Sequence, residues 1–417
     1  MHILFLTDNF PPEVNAPASR TYEHCRVWAQ RGHRITIITC APNFPRGRVF
    51  EGYRNSLFQR EQVDGMEVIR VWTYITANEG FVRRILDYLS FMVSAIVASV
   101  AVRRVDIVVG TSPQFFTACA AFVVGTLKRR PWVFELRDLW PETIKTVGAM
   151  RDSAAIRLLE KLELFLYRRA DAIVSVTRSF KRVLESRGVD PSKIHVVTNG
   201  VDFGQFSPRP KDEELVRRLG VQGKFVVGYV GTHGMCQALE TVVDAAGMLQ
   251  DDRIVFVLLG DGARKQALRE AAVAKGIKNV LFLDTVAKSE VPAFWSVLDV
   301  SLTHLQRSAL FQTVIPSKLF ESMGMGIPVL HGVDGESAEI VRECGVGEVF
   351  RSEDSQDLAN RVKRLASDPA ALKTFRAHCA DSAKQFDRSE LAIRMLRVLE
   401  ETVSKRQVQS ASEGRLP

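Results

Sequence analysis

Short apolar segments alternate with segments of helical periodicity along the whole chain. In the first half the apolar runs are HILFLT, RITIIT, DIVVGTS, WVFELRD, AIVSVT and IHVVTNG. The second half repeats this plan with FVVGYVG, IVFVLLGDG, VLFLDTV, VSLTHL and IPVLHGV. Continuous apolar runs, as opposed to alternating ones, are typical of parallel strands that helices cover on both faces. The pattern predicts an α/β protein with two doubly wound, Rossmann-like parallel sheets.

The alternating pattern breaks after Gly200, where VDFGQFSPRPKDEE brings aromatic, proline and charged residues together. We therefore predict an N-terminal domain over 1–200, a C-terminal domain over 201–385, and a C-terminal helix with a frayed tail over 386–417. Segment 369–404 is predicted to form two helices, and QVQSASEGRLP the tail. Parallel sheets of this kind bind ligands at the carboxyl ends of their strands, so the site is expected in a cleft between the two domains.

One segment, RRILDYLSFMVSAIVASVAVRR, has eighteen residues between two arginine pairs, with Asp87 as the only charge inside. A membrane span needs about 20 apolar residues, but three serines and the position between two strands argue against a span. Two interpretations stay open. The segment is either a packing helix of the first domain or a helix whose arginine-flanked outer face lies on an anionic membrane.

The chain has 417 residues, 46% apolar and 25% charged, which is ordinary for a globular protein of two domains. Its six cysteines lie far apart, without a CxxC pair or a Cys/His spacing suited to zinc, which favours reduced, structural cysteines in the cytoplasm. The first residues, MHILFLTDNFPPE, fit a buried strand better than a signal peptide, because the apolar run is short and no basic region precedes it.

The net positive charge of the chain lies entirely in its first half. Residues 1–208 hold 28 Lys and Arg against 20 Asp and Glu, whereas 209–417 hold 28 of each. Such a surface suits nucleic acid, anionic lipid or a polyanionic substrate. No RNP, helix-turn-helix or zinc-finger pattern is present, and we therefore expect no nucleic-acid partner.

The stretch TVIPSKLFESMGMGIPVL predicts a helix that begins at Pro316 and leads into a buried strand. The free amides of its first turn, near Ser317, would favour a phosphate, and Lys318 would add a full charge. Glu321 lies three residues later on the same face and could accept hydrogen bonds from ribose hydroxyls, while Leu319 anchors the helix. The alternative is a plain Lys–Glu ion pair on a solvated helix.

Two glycine-rich strand ends predict further donor contacts. In GYVGTHGMCQALE, Gly231 and Gly234 would let the backbone near His233 approach a ligand closely. In LLGDGARK, Arg264 and Lys265 follow another strand. Neither loop has the GxGxxG dinucleotide pattern, and each alone could be a tight turn.

In ELRDLWPE, Arg137 and Asp138 follow a strand of the first domain. Asp138 could orient or deprotonate an acceptor hydroxyl, with Arg137 against a phosphate. The alternative is that Asp138 caps a helix starting at Trp140.

Together, VVTNGVDFGQFSP, GDG, PSKLFESMGMGIPV and the opening TDNFPPEVNAPASRTYEHCRVWAQRGHRITIIT resemble the retaining family 4 glycosyltransferases, over residues 1 to about 400. RDLWPE and GTHG resemble the bacterial surface-polysaccharide branch, including enzymes assigned as N-acetyl-L-fucosamine transferases acting on lipid-linked acceptors. The resemblance implies a GT-B fold. It also places Asn15 and Arg20 on the acceptor side and the backbone near Val286 as a candidate base.

The chain departs from the family pattern at four positions, one of which is Arg137, where many relatives carry a His. Thr313 replaces a usual Glu eight residues before Glu321, and Thr232 and Gln237 stand where relatives carry an Arg and a Lys. Lys318, Arg264 and the His233–Gly234 backbone must then neutralise the diphosphate.

The resemblance thus implies a retaining transferase that uses a nucleotide sugar, expected to be UDP-linked, and a polyprenyl-diphosphate-linked saccharide acceptor. No strand ends in an Asp-x-Asp pair, so we expect neither a metal nor another cofactor. The enzyme is expected in the cytoplasm, on the inner face of the membrane, and in O-antigen or capsule synthesis. Two alternatives stay open: a UDP-sugar epimerase of the same architecture, and a non-catalytic nucleotide-sugar sensor, which the missing Arg and Lys make plausible.

Overall fold

The computed structural model describes residues 1–44, 46–76, 81–140, 154–249 and 251–413. They form two compact units. The first comprises Met1–Thr198 with the residues from Arg388 onward, and the second comprises Asn199–Asp387. Each unit is a mainly parallel sheet with helices packed on it, and the predicted α/β class is therefore confirmed.

The first unit is built on an eight-stranded sheet. Its strands are β1 (His2–Leu6), β2 (Arg34–Cys40), β3 (Phe58–Val63), β4 (Met66–Val71), β5 (Ile107–Thr111), β6 (Trp132–Leu136), β7 (Ala172–Ser175) and β8 (Ile194–Val196). Its helices are α1 (Ala16–Gln30), α2 (Phe81–Ser99), α3 (Phe115–Lys128), α4 (Ala154–Arg169) and α5 (Arg178–Ser186). The strand order is β3-β4-β2-β1-β5-β6-β7-β8, and only the β3–β4 pair is antiparallel.

The second unit has a six-stranded, all-parallel sheet. Its strands are β9 (Phe225–Val230), β10 (Ile254–Leu259), β11 (Val280–Leu283), β12 (Val300–His304), β13 (Val329–Gly332) and β14 (Gly347–Val349). Its helices are α6 (Glu213–Leu219), α7 (Glu240–Met248), α8 (Lys265–Ala274), α9 (Val291–Val297), α10 (Ser317–Gly324), α11 (Glu336–Cys344), α12 (Ser355–Ala366) and α13 (Pro369–Ser382). The order β11-β10-β9-β12-β13-β14 reverses direction between β9 and β12, where doubly wound sheets bind ligands.

The antiparallel hairpin of β3 and β4 was not predicted. The strand β3 is FQREQV, whose residues are half-exposed or exposed, so it has no continuous apolar run. The signal that could have revealed it is the Asp64–Gly65 turn, in which both residues have positive φ, +47° and +79°. Asp-Gly turns of this kind join the strands of tight hairpins. The three-residue strand β14 was also too short to recognise.

The C-terminal helix α14 (Arg388–Glu413) packs against α1 and thereby joins the first unit. The indole Nε1 of Trp28 donates to the carbonyl of Ala392 at 2.8 Å. Both carboxylate oxygens of Glu23 accept from Arg388, at 2.8 and 2.9 Å. The predicted frayed tail is therefore wrong over its first part, because the helix continues through residues 407–413.

Helix α2, which covers most of the segment between the arginine pairs, buries one face and exposes apolar side chains on the other. Phe91 and Ala95 are fully buried, whereas Leu86, Val93 and Val97 are 49, 55 and 66% exposed. Its buried face packs against α3. Over the described residues, no helix combines the length and apolarity that a bilayer crossing requires.

Candidate functional site

Two glycine-rich loops pack directly against each other at the carboxyl ends of β9 and β10. A Cβ on Gly260 would lie 1.9 Å from the carbonyl oxygen of Gly231, and one on Gly262 would lie 2.5 Å from that of His233. Gly260 and Gly262 also have φ of +146° and +156°, which side-chain-bearing residues rarely adopt. The glycines of GDG are therefore required by contact between the two loops.

The backbone amides of His233 and Gly234 are already occupied. The amide of His233 donates to the carbonyl of Asp261 at 2.8 Å, and that of Gly234 donates to Oε1 of Gln237 at 3.1 Å. This conformation contradicts the expectation that the His233–Gly234 backbone offers free donors to a diphosphate. Gln237, which stands where relatives carry a Lys, instead ties down the loop.

The ring of His233 is fully buried, and neither ring nitrogen has a hydrogen-bond partner among the described residues. Burial, followed by the charges of Lys265 and Lys318, lowers the pKa of His233 to about 4. The imidazole is therefore neutral near pH 7, and its ring centre lies 5.9 Å from that of Tyr229. The ring contributes packing to the loop and no charge.

Helix α10 begins at Ser317, with Pro316 as an extended N-cap at φ −61° and ψ 127°. The predicted placement of Pro316 in the first helical position is therefore wrong by one residue. The cap itself supplies no side-chain hydrogen bond to the first turn. Leu319 is fully buried in the core of the second unit and fixes the helix, as the sequence predicted.

The ammonium group of Lys318 lies over the end of β9. Its Nζ is 3.6 Å from the ring centre of Tyr229, and a Cβ on Gly231 would lie 2.9 Å from it. Burial lowers the pKa of Lys318 to about 7, and the nearby charge of Glu321 opposes this shift. A lysine on an aromatic ring can neutralise a diphosphate. Gly231 has no side chain, so a ligand can approach the backbone beside the lysine. A bound anion also favours the protonated, charged form of the lysine.

Arg264, the other predicted diphosphate cation, already has an ionic partner. Its Nε donates to Oε1 of Glu240 at 2.8 Å, and both side chains are partly exposed. Its neighbour Lys265 is almost fully buried, and its Nζ donates to the carbonyls of Gly260 and Leu283, both at 2.9 Å. The lysine therefore fixes the β10–α8 loop. A role for Arg264 in donor binding stays a prediction.

Val286 lies in the loop after β11 and packs partly against the core of the second unit. Thr313, which replaces a usual Glu, ends a short 3₁₀ helix and donates its hydroxyl to the carbonyl of Leu310 at 2.7 Å. Neither observation tests the proposed backbone base near Val286.

In the first unit, Arg137 and Asp138 directly follow the carboxyl end of β6, as the sequence predicted. Their backbone amides both donate to Oγ of Ser112, at 2.7 and 3.2 Å, which fixes the dipeptide at the end of β5. Burial lowers the pKa of Arg137 to about 10, against the attraction of Glu135. The helix that Asp138 was alternatively predicted to cap lies outside the described residues, beyond Trp140.

Asn15 and Arg20, predicted on the acceptor side, have structural contacts. The Asn15 side chain caps α1 by accepting from the amide of Ala18 at 2.8 Å. Arg20 is buried, and its Nε donates to Oε1 of Glu135 at 2.8 Å. Its other nitrogens donate to the carbonyls of Thr198 and Val197, at 2.8 and 3.0 Å. These contacts engage all three nitrogens of the guanidinium, and an acceptor contact by either residue stays a prediction.

Burial alone would raise the pKa of Glu135, but the charges of Arg20 and Arg137 hold it below its ordinary value. Glu135 is therefore an ionised carboxylate inside the unit, two positions before Arg137. No signal in the isolated sequence distinguishes it from other strand residues, because its partner Arg20 is 115 positions away.

Tyr229 was the main site residue that the sequence analysis missed. Its hydroxyl donates to the carbonyl of Thr232 at 2.8 Å, and its ring supports Lys318. A Tyr two residues before a strand-ending Gly is ordinary in a buried strand, so only the contact with α10 identifies it. Among the described residues, no group of three or more His, Cys, Asp or Glu side chains could hold a metal ion.

Two protein-family models match most of the chain. The model for a glycosyl transferase 4-like domain matches residues 15–200, and the model for glycosyl transferases group 1 matches residues 211–386. The chain is also 26% identical over 334 residues to WcaI of Escherichia coli strain K12, whose name assigns it to colanic acid biosynthesis. That match covers 78% of this chain and 82% of WcaI.

Solved structures share the fold over nearly the whole chain. Sucrose-phosphate synthase from Thermosynechococcus elongatus matches with a TM-score of 0.76 and 15% identity, covering 99% of this chain and all of that one. Anabaena HepE in complex with UDP matches with a TM-score of 0.71 and 17% identity, covering 96% and 100%.

Proposed function

The chain belongs to the family 4 glycosyltransferases, as its motifs predicted. We propose that it transfers a sugar from a UDP-sugar donor to a lipid-linked saccharide in bacterial surface-polysaccharide synthesis. Similarity to WcaI supports the pathway, and the structural likeness to HepE, which was solved with UDP, supports the donor. The observation that carries the proposal is the Lys318 ammonium held on the Tyr229 ring beside Gly231.

In the proposed reaction, the bond between the anomeric carbon and the diphosphate breaks, and its electron pair leaves with UDP. Lys318 and the first-turn amides of α10 stabilise the charge that develops on the leaving diphosphate. Glu321, on the same face of the helix, accepts hydrogen bonds from the ribose hydroxyls. Position 231 requires a glycine, because the Cβ of any other residue would lie 2.9 Å from Nζ of Lys318 and displace it.

The acceptor hydroxyl forms the new bond to the anomeric carbon, and Asp138 takes up its proton. The Ser112 hydroxyl, which accepts from the amides of both Arg137 and Asp138, holds this dipeptide in place. Arg137 keeps its charge at neutral pH, since its lowered pKa is still about 10, and it suits the phosphate of a lipid-linked acceptor. Retention of anomeric configuration rests on the family alone.

We also propose that α2 rests on an anionic membrane. Leu86, Val93 and Val97 recur at spacings of seven and four residues, which places them on one face of the helix. All three are about half-exposed or more. Arg83 and Arg84 lie in the first turn of α2, and Arg103 and Arg104 follow its last residue by four and five positions, so headgroup attraction adds to burial of the apolar face.

The donor proposal is tested by assaying the purified chain with a panel of UDP-sugars and a polyprenyl-diphosphate-linked saccharide, after a thermal-shift screen has selected the donor. Lys318→Ala should lower turnover by about 10²–10³-fold, as removal of one donor to a developing anion does elsewhere. The matched control is Lys275→Ala, which removes a Lys of the same unit that is salt-bridged to Asp244. Equal turnover of the two variants would disprove the role of Lys318.

The membrane proposal is tested by sedimentation with phosphatidylglycerol vesicles. Replacing Leu86, Val93 and Val97 together by Ser should reduce pelleting, since each removes exposed apolar area from the bilayer contact. Val273→Ser is the control, because Val273 is 80% exposed but lies in the second unit. Unchanged pelleting of the triple variant would contradict the proposed face.

A further inference from the structure

A cavity of about 760 Å³ lies at the amino edge of the sheet in the first unit. It is lined by the C-terminal ends of α3 and α4, the first residues of β6 and β7, and part of α14. The pair Arg137–Asp138 lies at the other end of β6, a strand of five residues. Five residues of strand span about 16 Å, so the cavity is separate from the proposed acceptor residues.

The cavity lining carries seven Lys or Arg side chains and three Asp or Glu side chains. Among the cations, Arg129, Arg130, Arg168 and Arg169 are exposed, and the structure shows no ion pair for them within the described part of the chain. These four arginines therefore concentrate positive charge without ion-pair partners, and all four belong to the half of the sequence that holds the whole net charge of +8.

Two of the three carboxylates in the lining are used by the backbone. Oδ2 of Asp171 accepts from the amide of Trp132 at 2.9 Å, and Oδ1 of Asp190 accepts from that of Ser192 at 2.9 Å. They hold chain turns in place and do not pair with the arginines. Their negative charges still offset part of the positive potential, but the seven cations of the lining outnumber its three carboxylates.

The backbone that carries Arg168 and Arg169 is held rigidly. Nζ of Lys193 donates to the carbonyl of Arg168 at 2.8 Å, and Nε1 of Trp132 donates to that of Arg169 at 3.1 Å. The two neighbouring arginine side chains therefore extend from a hydrogen-bonded segment of backbone at the cavity wall. Burial, which outweighs the attraction of Asp171 and Asp190, lowers the pKa of Lys193, and the charge of Arg169 adds a smaller contribution in the same direction.

Attraction to helix dipoles accounts for only part of this cluster. A cation in the last turn of a helix is stabilised by the helix dipole, which explains one or two basic residues at the end of α3 and of α4. It does not explain Arg130, which follows the helix, or Lys193 and Lys405, which come from other elements. Such a convergence of arginines from several elements is typical of phosphate recognition.

We propose that this cavity binds an anion carrying two or more phosphate groups, at a site distinct from that of the donor. The ligand is either a soluble polyphosphate compound or the headgroup of an anionic phospholipid, and both present the same oxygen acceptors to the arginines. Bound anion would remove the mutual repulsion of the four arginines, and its affinity should fall steeply with salt.

The test is isothermal titration of the full chain with tripolyphosphate in excess UDP, which occupies any nucleotide site. Arg168→Gln/Arg169→Gln should bind about tenfold more weakly than wild type, the loss expected for removed charge-assisted hydrogen bonds. The control is Arg217→Gln/Arg218→Gln, an exposed pair in the last turn of α6 that lies outside the cavity. Lys405→Gln is a second cavity variant, and melting temperatures confirm that all variants fold.

A second arm uses vesicles of phosphatidylcholine with and without cardiolipin, an anionic phospholipid that carries two phosphate groups. If tripolyphosphate does not bind but the anionic vesicles do, with the same loss in the Arg168/Arg169 variant and not in the control, the ligand is a lipid headgroup. If neither probe binds, or if both arginine pairs have equal effects, the inference is overturned. None of these outcomes depends on transferase activity.

Discussion

The lowered pKa of Lys318 makes UDP binding depend on pH in a defined direction. In the free protein its pKa is about 7, against an ordinary 10.5, because burial disfavours the charged form. A diphosphate favours the ammonium group, so binding should raise this pKa and take up a proton above pH 7. The affinity for UDP should therefore fall as the pH rises above 7.

The size of the effect follows from the protonated fraction. With a pKa of about 7, roughly 24% of the lysine is charged at pH 7.5 and roughly 3% at pH 8.5. If the bound lysine stays charged, affinity falls about eightfold over this interval. UDP itself adds little, because the last ionisation of a phosphate has a pKa of about 6.

The assay is titration calorimetry with UDP at both pH values, in two buffers of different ionisation enthalpy. Wild type should show the fall in affinity and the uptake of nearly one proton at pH 8.5. Lys318→Met keeps the apolar stem over Tyr229 but has no charge, so it should bind more weakly and show neither effect. A wild-type affinity that is level between the two pH values, or an equal slope in Lys318→Met, would refute the reasoning.

Folding stability supplies an independent check with the opposite slope. Because the folded pKa of Lys318 is below the unfolded value, the unfolded chain binds more protons between pH 7 and 10.5. The burial cost of the charge is fully present below pH 7 and disappears as the pH rises towards 10.5. Relative to Lys318→Met, wild type should thus gain stability over this range in denaturant titrations.

Three further substitutions test the supports of the two sites. Tyr229→Leu removes the ring beneath the ammonium group, a contact of about 0.5–2 kcal/mol, and should weaken UDP binding in calorimetry, whereas Tyr229→Phe should remain close to wild type. Gly260→Ala should destabilise the second unit and impair UDP binding, because its Cβ would lie 1.9 Å from the carbonyl oxygen of Gly231. The control is Gly223→Ala, at φ +67° with no atom near the added Cβ, which should lower the free energy of unfolding in urea by only about 1–2 kcal/mol. Arg20→Met should cost about 3–5 kcal/mol in free energy of unfolding, because it removes the ion-pair partner of the buried Glu135 and leaves only the charge of Arg137 to offset it. Adding Glu135→Leu should restore most of this stability, and full stability of the single variant would exclude a buried ion pair.

Much of the fold could be predicted because its strands are buried on both faces. Strands such as β1 and β10 are wholly buried and appear in the sequence as continuous apolar runs. The edge strand β3 is solvated, and its sequence therefore resembles a loop. The join between the units was visible because Pro208 and Pro210 interrupt the strand–helix rhythm there. The attachment of α14 to α1 depends on a contact 364 residues apart in sequence, which no local pattern contains.

The candidate site was predictable where its residues follow strand ends, and not where their partners decide their role. Lys318 and Gly231 come together because the switch point of the sheet lies between β9 and β12. In the sequence, Arg264 resembled Lys318, because both are cations predicted at the carboxyl edge of the sheet. It is instead paired with Glu240, 24 positions earlier, and nothing in the sequence of the loop reveals that pairing.

The glycines show most clearly why a motif underdetermines a site. From the sequence, Gly231, Gly234 and the GDG loop all suggested close approach of a ligand to bare backbone. In the structure, Gly260 and Gly262 are glycines because the β9 loop approaches them, and the amide of Gly234 is taken by Gln237. Of these glycines, only Gly231 lies beside a cation, because a Cβ at this position would lie 2.9 Å from Nζ of Lys318. The proposed diphosphate site therefore depends on the position of Lys318 and not on the number of glycines.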